Sequence, residues 1–417
     1  MMAELRRTPG APDPGVPSAA TDLDHLRDKR LLVVAHGYNH FVKGQVDVLA
    51  EYVRSVHVLV RYNRFADLAS HLPVDYPKPY TSDAKIDRTD QPDNVTAIGT
   101  PLYYLPLDAH RRVLGDQHAR KVASVLDDLD VSFDLVHSHL TWTAGYVGSV
   151  LREELGVPHV LTVHENRDLL ESEVASDRGK LRDTWAGADA LVRVNRADLP
   201  VLRRYNDTVR YIPNGFSPET FEALPQAAAR EALGVPADRP LLFALGHLKE
   251  RKGFQHLVEV LPAVRSRVGD VSVAIGGHGR MRPRLEARID ELGLADRVEL
   301  LGYVPSERLK YWMSACDAFV LPSYSESFGL VQLEAMACGA PVVSTENGGS
   351  EEVIPSEEYG LLVDHPEAHD QLADAIVATI EREWDREGIR CYAERFTWEN
   401  VCTEIASLYV QELRAHD

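Results

Sequence analysis

Short runs of apolar residues alternate with longer stretches of helical periodicity along most of this chain. The runs are rich in Val, Leu and Ile, which is typical of strands buried on both faces. They predict strands over 31–35, 56–60, 134–137, 159–163, 190–194 and 209–213, and again over 240–246, 271–276, 297–302, 318–322, 341–345 and 360–364. The 3.6-residue pattern predicts helices over 45–54, 254–268 and 330–337. This β-α-β order indicates parallel sheets with helices on both faces.

The alternation of predicted strands and helices is interrupted twice. Phe65–Tyr103 contains several prolines and is predicted to be a long surface loop near a site. A polar stretch after Asn214-Gly215 separates two α/β halves. We therefore predict a disordered tail over 1–23, a first domain over 24–218, a second over 219–392, and a C-terminal helix over 393–417 that packs on the first domain. Ligands of such sheets bind at the carboxyl ends of the strands, so we expect one cleft between the domains.

Composition excludes several classes of protein. The chain has 45 Lys and Arg against 64 Asp and Glu, a net charge of −19, which argues against a nucleic-acid partner. No apolar run approaches the roughly 18 residues of a membrane span, and the N-terminus does not resemble a secretory signal. The four cysteines form no CxxC pair. Free thiols in a reducing cytoplasm are the expectation, with peripheral contact at the inner face of the membrane left open.

The segment 322–343 contains the most informative chemistry. A predicted strand ends at Pro322, a loop carries Glu326, and a helix opens near Gly329. The free N–H groups of a helix start suit an anion such as a diphosphate. Glu334 lies within that helix, where its two carboxylate oxygens could accept from the two hydroxyls of a ribose. The structural alternative is that Glu326 caps the helix and Glu334 lies on a solvated face.

Glu326 and Glu334 resemble the E-x7-E motif of family 4 retaining glycosyltransferases of the GT-B fold (glycosyl transferases group 1). Further motifs of that family occur elsewhere in the chain, in the order in which the family has them. They are 134–139, 161–164, 211–215, 246–253, 276–279, 301–304, 360–364 and 396–399. The resemblance is most specific in the second half. It implies two Rossmann-like domains that face each other across a cleft, with a C-terminal helix crossing back to the first.

The resemblance also implies a reaction and roles for residues. The reaction is transfer of a sugar, with retained configuration, from a UDP- or GDP-linked donor to a hydroxyl of a glycan, a lipid-linked or a small-molecule acceptor. Glu326, His164 and Lys252 are the implied catalytic residues. The donor-binding set is His247, Arg251, Lys252, Tyr303, Val304, Ser327, Phe328, Gly329, Leu330 and Glu334. The acceptor candidates follow the first strand, at Tyr38, Asn39, Lys43 and Gly44. No metal and no cofactor are implied.

The chemistry of these residues is consistent with that reaction, since cations stabilise a leaving diphosphate and a carboxylate stabilises a positive sugar ring. His247 departs from the family, which usually has Arg there, and Arg251 is a candidate replacement. His137 and His139 lie on one face of a strand end, but the sequence offers no further ligands for a metal. Two alternatives stay open: another GT-B enzyme, such as a nucleotide-sugar epimerase or a phosphorylase, and a non-catalytic nucleotide-sugar sensor.

Overall fold

The computed structural model describes residues 23–69, 80–104, 108–176 and 179–417. The tail predicted for 1–23 lies outside the described residues, except that Leu23 begins a 3₁₀ turn. The chain divides into two units: unit 1 comprises residues up to Gly215 together with Trp398–Asp417, and unit 2 comprises Phe216–Thr397. The boundaries predicted from the sequence are at 218 and 392, within about five residues of these limits. Within the described ranges, no helix is both long and apolar enough to cross a membrane.

Unit 1 is built on a seven-stranded parallel sheet in the order β3-β2-β1-β4-β5-β6-β7. Its strands are β1 (Arg30–Ala35), β2 (Ser55–Asn63), β3 (Val95–Leu102), β4 (Leu135–His139), β5 (His159–Val163), β6 (Ala190–Arg193) and β7 (Val209–Tyr211). Its helices are α1 (His40–Leu49), α2 (Arg64–Ala69), α3 (Ser82–Lys85), α4 (Asp108–Leu129), α5 (Tyr146–Leu155), α6 (Arg167–Ala175), α7 (Gly179–Gly187) and α8 (Leu199–Leu202). The central strands are buried on both faces, as their apolar runs predict.

Unit 2 has a six-stranded parallel sheet in the order β10-β9-β8-β11-β12-β13. Its strands are β8 (Leu241–Leu245), β9 (Ser272–Gly276), β10 (Val298–Gly302), β11 (Ala318–Leu321), β12 (Val342–Thr345) and β13 (Gly360–Val363). Its helices are α9 (Gln226–Leu233), α10 (Phe254–Val268), α11 (Arg282–Glu291), α12 (Ser306–Ala315), α13 (Leu330–Ala337), α14 (Ser350–Val353), α15 (His369–Glu381) and α16 (Arg386–Ala393). The predicted bounds of α10 and α13 agree with the structure. The α/β class with two parallel-sheet units is confirmed.

The prediction that Phe65–Tyr103 is only a loop is wrong. The segment contains α2, α3 and the strand β3, which pairs in parallel with β2 along eight positions. Gly99 and Pro101 disguise β3 in the sequence because neither favours a strand. β3 lies at the edge of the sheet, where the missing N–H of Pro101 is tolerated.

The first helix also differs from its prediction over 45–54. It begins at His40 and ends at Leu49, so it starts five residues earlier. Val42, Val46 and Leu49 are its buried apolar side chains, and they recur at the spacing of one helix face. The apolar pattern is therefore helical from the start of α1, directly after the loop that follows β1.

The last helix, α17 (Trp398–His416), completes the core of unit 1. Trp398 is buried, and a methyl group on Gly44 would lie 2.2 Å from its Nε1 atom. Ile405, Tyr409 and Leu413 extend the same apolar cluster. The C-terminal helix thus packs against α1 in the first unit.

Two loops of unit 2 touch at the carboxyl ends of β8 and β11. Gly253 has a left-handed backbone with φ of 69°, and a Cβ atom there would lie 1.7 Å from the carbonyl oxygen of Pro322. The backbone N–H of Tyr324 also donates to the carbonyl of Arg251 over 2.8 Å. Only glycine permits this approach. The contact holds the loop that carries Lys252 against the loop that carries Glu326.

We predict that Gly253→Ala destabilises unit 2 more than Gly234→Ala does. Gly234 has nearly the same φ, 70°, but a Cβ atom added there would meet no atom within 4 Å. Both substitutions force a side chain into a left-handed backbone at a cost of about 1–2 kcal/mol. The difference in urea unfolding between them therefore isolates the collision with Pro322. Equal destabilisation by the two substitutions would contradict this contact.

Candidate active site

A buried ion pair joins the carboxyl ends of two neighbouring strands in unit 2. Lys252 follows β8, Glu326 follows β11, and these strands pair in parallel. The Lys252 Nζ atom lies 2.7 Å from Oε1 of Glu326, and both side chains are largely buried. Arg251 Nη1 lies 3.8 Å from the other carboxylate oxygen. Glu326 is therefore held between two cations.

The electrostatics of Glu326 follow from this arrangement. Burial raises the pKa of its carboxyl, but the positive charges of Lys252 and Arg251 outweigh burial and hold the pKa below its usual value. Glu326 is thus ionised at neutral pH. Its side chain pairs with Lys252, so the alternative in which it serves only to cap α13 is not what the structure shows.

Glu334 lies on α13 with 8% of its surface exposed. Within the described part of the chain, no Lys or Arg forms an ion pair with it. Burial raises the pKa of Glu334 to about 8. A solvated helix face, the structural alternative, does not fit this burial. The carboxyl is instead buried, and a ligand with hydroxyl donors would stabilise its charged form.

The first turn of α13 follows Ser327, Phe328 and Gly329 directly. Phe328 is buried, and no described side chain caps this turn. The Gln332 N–H donates to the Gly329 carbonyl over 2.9 Å, which leaves the N–H groups of Leu330 and Val331 as the candidates for binding an anion. Leu330 begins the helix and is half-buried. These residues stay predicted donor contacts.

Three other predicted donor residues lie in loops after β8 and β10. His247 is exposed, and its ring packs edge-on against His278 at 5.1 Å. Desolvation lowers the pKa of His247, and Lys249, His278 and Lys252 lower it further. A neutral His247 leaves Lys252 and Arg251 as the cations of this site. After β10, Tyr303 is exposed and Val304 is buried.

Sequence reasoning missed a support for the Glu326 loop. The backbone N–H of Glu326 donates to the carbonyl of Asn347 over 3.5 Å. The Asn347 side chain in turn donates to the hydroxyls of Ser350 and Thr345. Asn347-Gly348-Gly349 follows a strand and has the composition of a tight turn, which is the signal that could have found it.

A second missed support is a chain of polar side chains beside Ser325. His256 Nε2 lies 2.8 Å from the hydroxyl of Tyr324, which donates to Glu367 over 2.7 Å. His369 Nε2 lies 2.9 Å from His256 Nδ1. This chain connects the loops after β11 and β13 with α10. Since these residues come from three separate segments of the sequence, no local motif predicts the chain.

His164 lies in unit 1, directly after β5, and is buried. Its Nε2 atom lies 3.0 Å from Nδ1 of His139, and the two rings are nearly parallel. Phe41 packs against it with ring centroids 4.6 Å apart. Burial lowers the pKa of His164 well below its usual value, and His139 and Arg193 add to this. His164 is therefore neutral and fixed in orientation.

The predicted acceptor residues all make contacts inside unit 1. Tyr38 is fully buried and donates to Asp47 over 2.5 Å, and Lys43 pairs with the same carboxylate over 2.5 Å. Asn39 donates to the carbonyl of Ala84. Gly44 faces Trp398, as described above. The structure thus gives these residues, and Tyr38 above all, packing contacts within the unit.

His137 uses both ring nitrogens within unit 1. Nδ1 lies 2.6 Å from the Tyr409 hydroxyl, and Nε2 lies 2.8 Å from the Thr162 hydroxyl. In the residues that the structure describes, no group of three or more His, Cys, Asp or Glu side chains is placed to hold a metal ion. The prediction that no metal takes part is a matter for experiment.

Comparisons with known proteins agree with the motifs. The family model for glycosyl transferases group 1 matches residues 225–396, and that for Glycosyltransferase Family 4 matches 78–220. The chain is 33% identical to a D-inositol 3-phosphate glycosyltransferase of Xylanimonas cellulosilytica, covering 67% of this chain and 72% of that protein. A protein of the same name from Saccharomonospora viridis is 35% identical over 68% and 71%. Sucrose-phosphate synthase from Thermosynechococcus elongatus is similar in structure, with a TM-score of 0.72, 25% identity and coverage of 93% and 100%.

We predict that Glu334 makes stability depend on pH. The folded carboxyl keeps its proton up to pH about 8, whereas an unfolded Glu titrates near about 4.3. The folded state binds more protons between these values, so the stabilisation is complete below pH about 4 and is lost as the pH rises to about 8. Relative to Glu334→Gln, the wild-type free energy of unfolding should fall between pH 5 and 8.5 by up to about 4 kcal/mol.

Urea unfolding at a series of pH values measures this difference. Glu358→Gln is the matched control, because Glu358 is an exposed carboxylate of the same unit. The difference in the free energy of unfolding between Glu358→Gln and wild type should not change with pH. A constant difference between wild type and Glu334→Gln would show that Glu334 is ionised in the folded protein.

Proposed function

Because the chain belongs to the glycosyl transferases group 1 and is a retaining hexosyltransferase, we propose that Lys252, Glu326 and Glu334 form its donor site. The enzyme transfers a sugar from a nucleotide sugar to an acceptor. The observation that carries the proposal is the buried pair between Lys252 and Glu326, 2.7 Å apart at adjoining strand ends. The pair supports the proposal because the reaction needs a cation for its leaving diphosphate and an anion for its sugar ring.

The proposed chemistry follows from those charges. As the bond between sugar and diphosphate breaks, negative charge grows on the leaving phosphate, and Lys252, Arg251 and the N–H groups of α13 stabilise it. Positive charge grows on the sugar ring, and the ionised Glu326 stabilises that charge. For His164 we propose contact with the donor sugar, the role that the resemblance implies. Since Lys252 and Arg251 supply the positive charge, no metal and no further cofactor are needed.

Glu334 is proposed to bind the ribose of the donor. Two hydroxyls of a ribose can donate to the two oxygens of one carboxylate, which compensates for its burial. This geometry does not discriminate between bases, so both UDP- and GDP-linked sugars are candidate donors. Tyr303 and Val304 stay candidates for contact with the nucleotide.

For the acceptor we propose a small phosphorylated molecule. The supporting observation is that the names of the relatives refer to inositol 3-phosphate and to sucrose phosphate. A glycan or a lipid-linked acceptor, with peripheral membrane contact, is the competing outcome. The four cysteines are free, which suits a reducing compartment, so the cytoplasm is the proposed location.

We predict that Glu326→Gln lowers kcat by about 10²-fold or more, because the neutral amide cannot stabilise a positive sugar ring. Donor affinity should change by only a few-fold, since Lys252 remains. Release of nucleoside diphosphate in the presence of acceptor measures kcat. Glu346→Gln is the control, because Glu346 is exposed just after the neighbouring strand β12. A near-normal kcat in Glu326→Gln would remove this residue from the catalytic set.

We predict that one class among UDP-, GDP- and ADP-sugars raises the melting temperature, and that EDTA leaves this effect unchanged. Lys252→Ala should abolish the shift because the diphosphate loses its cation. Stabilisation that requires added Mg²⁺ would contradict the role of Lys252.

Product analysis with the identified donor then separates the alternatives. An epimerase changes the sugar without an acceptor, whereas a sensor binds the donor but yields no product with any acceptor of the panel.

A further inference from the structure

The loop after β8 carries a histidine close to the lysine that is proposed to bind the diphosphate. His247 stands where the family usually has an arginine. An arginine is charged at every physiological pH, whereas a histidine is charged only after it takes up a proton. The exchange of one residue for the other therefore makes the positive charge at this position depend on pH and on the surroundings of the ring.

His247 and Lys252 belong to the same short loop. A Cβ atom added to Gly246 would lie 3.5 Å from Cε of Lys252 and 3.6 Å from its Cδ, so the lysine side chain passes over the residue before His247. The N–H of Lys249 donates to the carbonyl of His247 over 2.7 Å, which turns the chain tightly. The His247 ring is exposed. An anion bound to Lys252 would therefore act on the charge state of this ring.

A second histidine comes from the neighbouring loop. β8 and β9 pair in parallel as far as Leu245 and Gly276, so the loops that follow them lie side by side. The N–H of Leu248 donates to the carbonyl of His278 over 2.9 Å. The exposed ring of His278 meets that of His247 edge-on, with 5.1 Å between the centroids. Two positive rings at this distance repel each other, so an anion is needed before charge can build up here.

The groups that face His247 are all cationic or able to become so. They are Lys249 and Lys252 in its own loop and His278 in the loop after β9. Desolvation lowers the pKa of His247 and these groups lower it further, while a hydrogen bond with the His278 backbone acts in the opposite direction. The nearest acid in sequence, Glu250, lies 3.7 Å from Arg284. Among the described residues, no Asp or Glu forms an ion pair with His247 or His278.

We propose that His247 takes up a proton from solvent when the donor binds and holds the diphosphate as a positively charged imidazolium. This role rests on the proposed function, because it concerns the diphosphate of the same donor. The diphosphate supplies the negative charge that is missing around the ring, and this favours the charged form. His247 then adds a third cation to Lys252 and Arg251. Donor affinity thereby becomes linked to pH, which an arginine at this position would not allow.

The direction of the pH dependence follows from this linkage. Binding raises the pKa of His247, which lies below its usual value in the free protein. The contribution of the ring to affinity is therefore complete below the pKa of the free protein and is lost as the pH rises through the pKa of the complex. Glu334 acts in the opposite sense. Burial raises its pKa to about 8, so a ribose that stabilises its charged form releases a proton. The part due to His247 is the difference between two proteins that share Glu334.

Isothermal titration calorimetry of the full-length protein measures this difference. The probes are UDP-, GDP- and ADP-glucose, because both phosphates of a nucleotide sugar are esterified and lack the second ionisation that a terminal phosphate has near pH 6. Titrations in buffers of different ionisation enthalpy give the number of protons bound with the donor. At pH 7, wild type should take up a fraction of a proton more than His247→Gln. The ratio of the dissociation constant of His247→Gln to that of wild type should increase about tenfold from pH 8 to pH 6.

Three further variants complete the design. His247→Arg is charged throughout, so it should bind like wild type at pH 6 and about tenfold more tightly at pH 8, with the proton number of His247→Gln. His278→Gln should keep the proton uptake. His365→Gln is the matched control, because His365 is an exposed histidine of the same unit, after β13. It should equal wild type in affinity and in proton number at both pH values.

The outcomes separate the proton uptake from the donor site itself. Equal proton numbers in wild type and His247→Gln overturn the uptake, and so does a ratio of their dissociation constants that stays constant with pH. Uptake that is lost in His278→Gln but kept in His247→Gln overturns it as well, because the proton would then belong to the other ring. Each of these results leaves the donor site standing. If none of the three nucleotide sugars binds to wild type, the proposed function fails, and the role of His247 fails with it.

Discussion

The ion pair between Lys252 and Glu326 governs the arrangement of unit 2 around its candidate site. A buried charge is tolerated only with a partner, so each of these side chains fixes the position of the other. The pair also fixes two loops, because Gly253 touches Pro322 and Tyr324 bonds to Arg251 beside it. In the proposed reaction the diphosphate of the donor takes Lys252 as its partner. Glu326 is then left to face the positive charge that develops on the sugar.

Unit 1 differs in that burial keeps a group of its histidines neutral. Burial lowers the pKa of both His118 and His139 to about 3, and His137 and His164 shift in the same direction. Neutral rings can each donate once and accept once, which builds directed hydrogen bonds without net charge. Positive charge near this edge of the sheet therefore comes from arginine and lysine. The pairing of these rings is incomplete, since Nε2 of His139 and Nδ1 of His159 are buried without a hydrogen-bond partner.

The sequence was most informative where burial is simple. Strands such as β5 are apolar on both faces and could be predicted with their bounds, and the strand-end rule brought Lys252 and Glu326 together. β3 was missed because its Gly99 and Pro101 are tolerated only at a sheet edge. The burial of Tyr38 was not predictable, since it depends on Asp47 and on a bridge to Ile86. The contact between the ring nitrogens of His139 and His164 depends on three-dimensional geometry alone.

The return of the chain to unit 1 has a consequence for biosynthesis. Trp398 and the apolar face of α17 form part of the core of unit 1, whose other residues end at Gly215. A ribosome makes all of unit 2 in between, which takes roughly 10–40 s at about 5–20 residues per second. During that interval α1 presents an uncovered apolar surface to the cell. Unit 2 can therefore fold before α17, the last helix of unit 1, has been synthesised. Chaperone binding to the nascent chain is expected to concentrate on the N-terminal half.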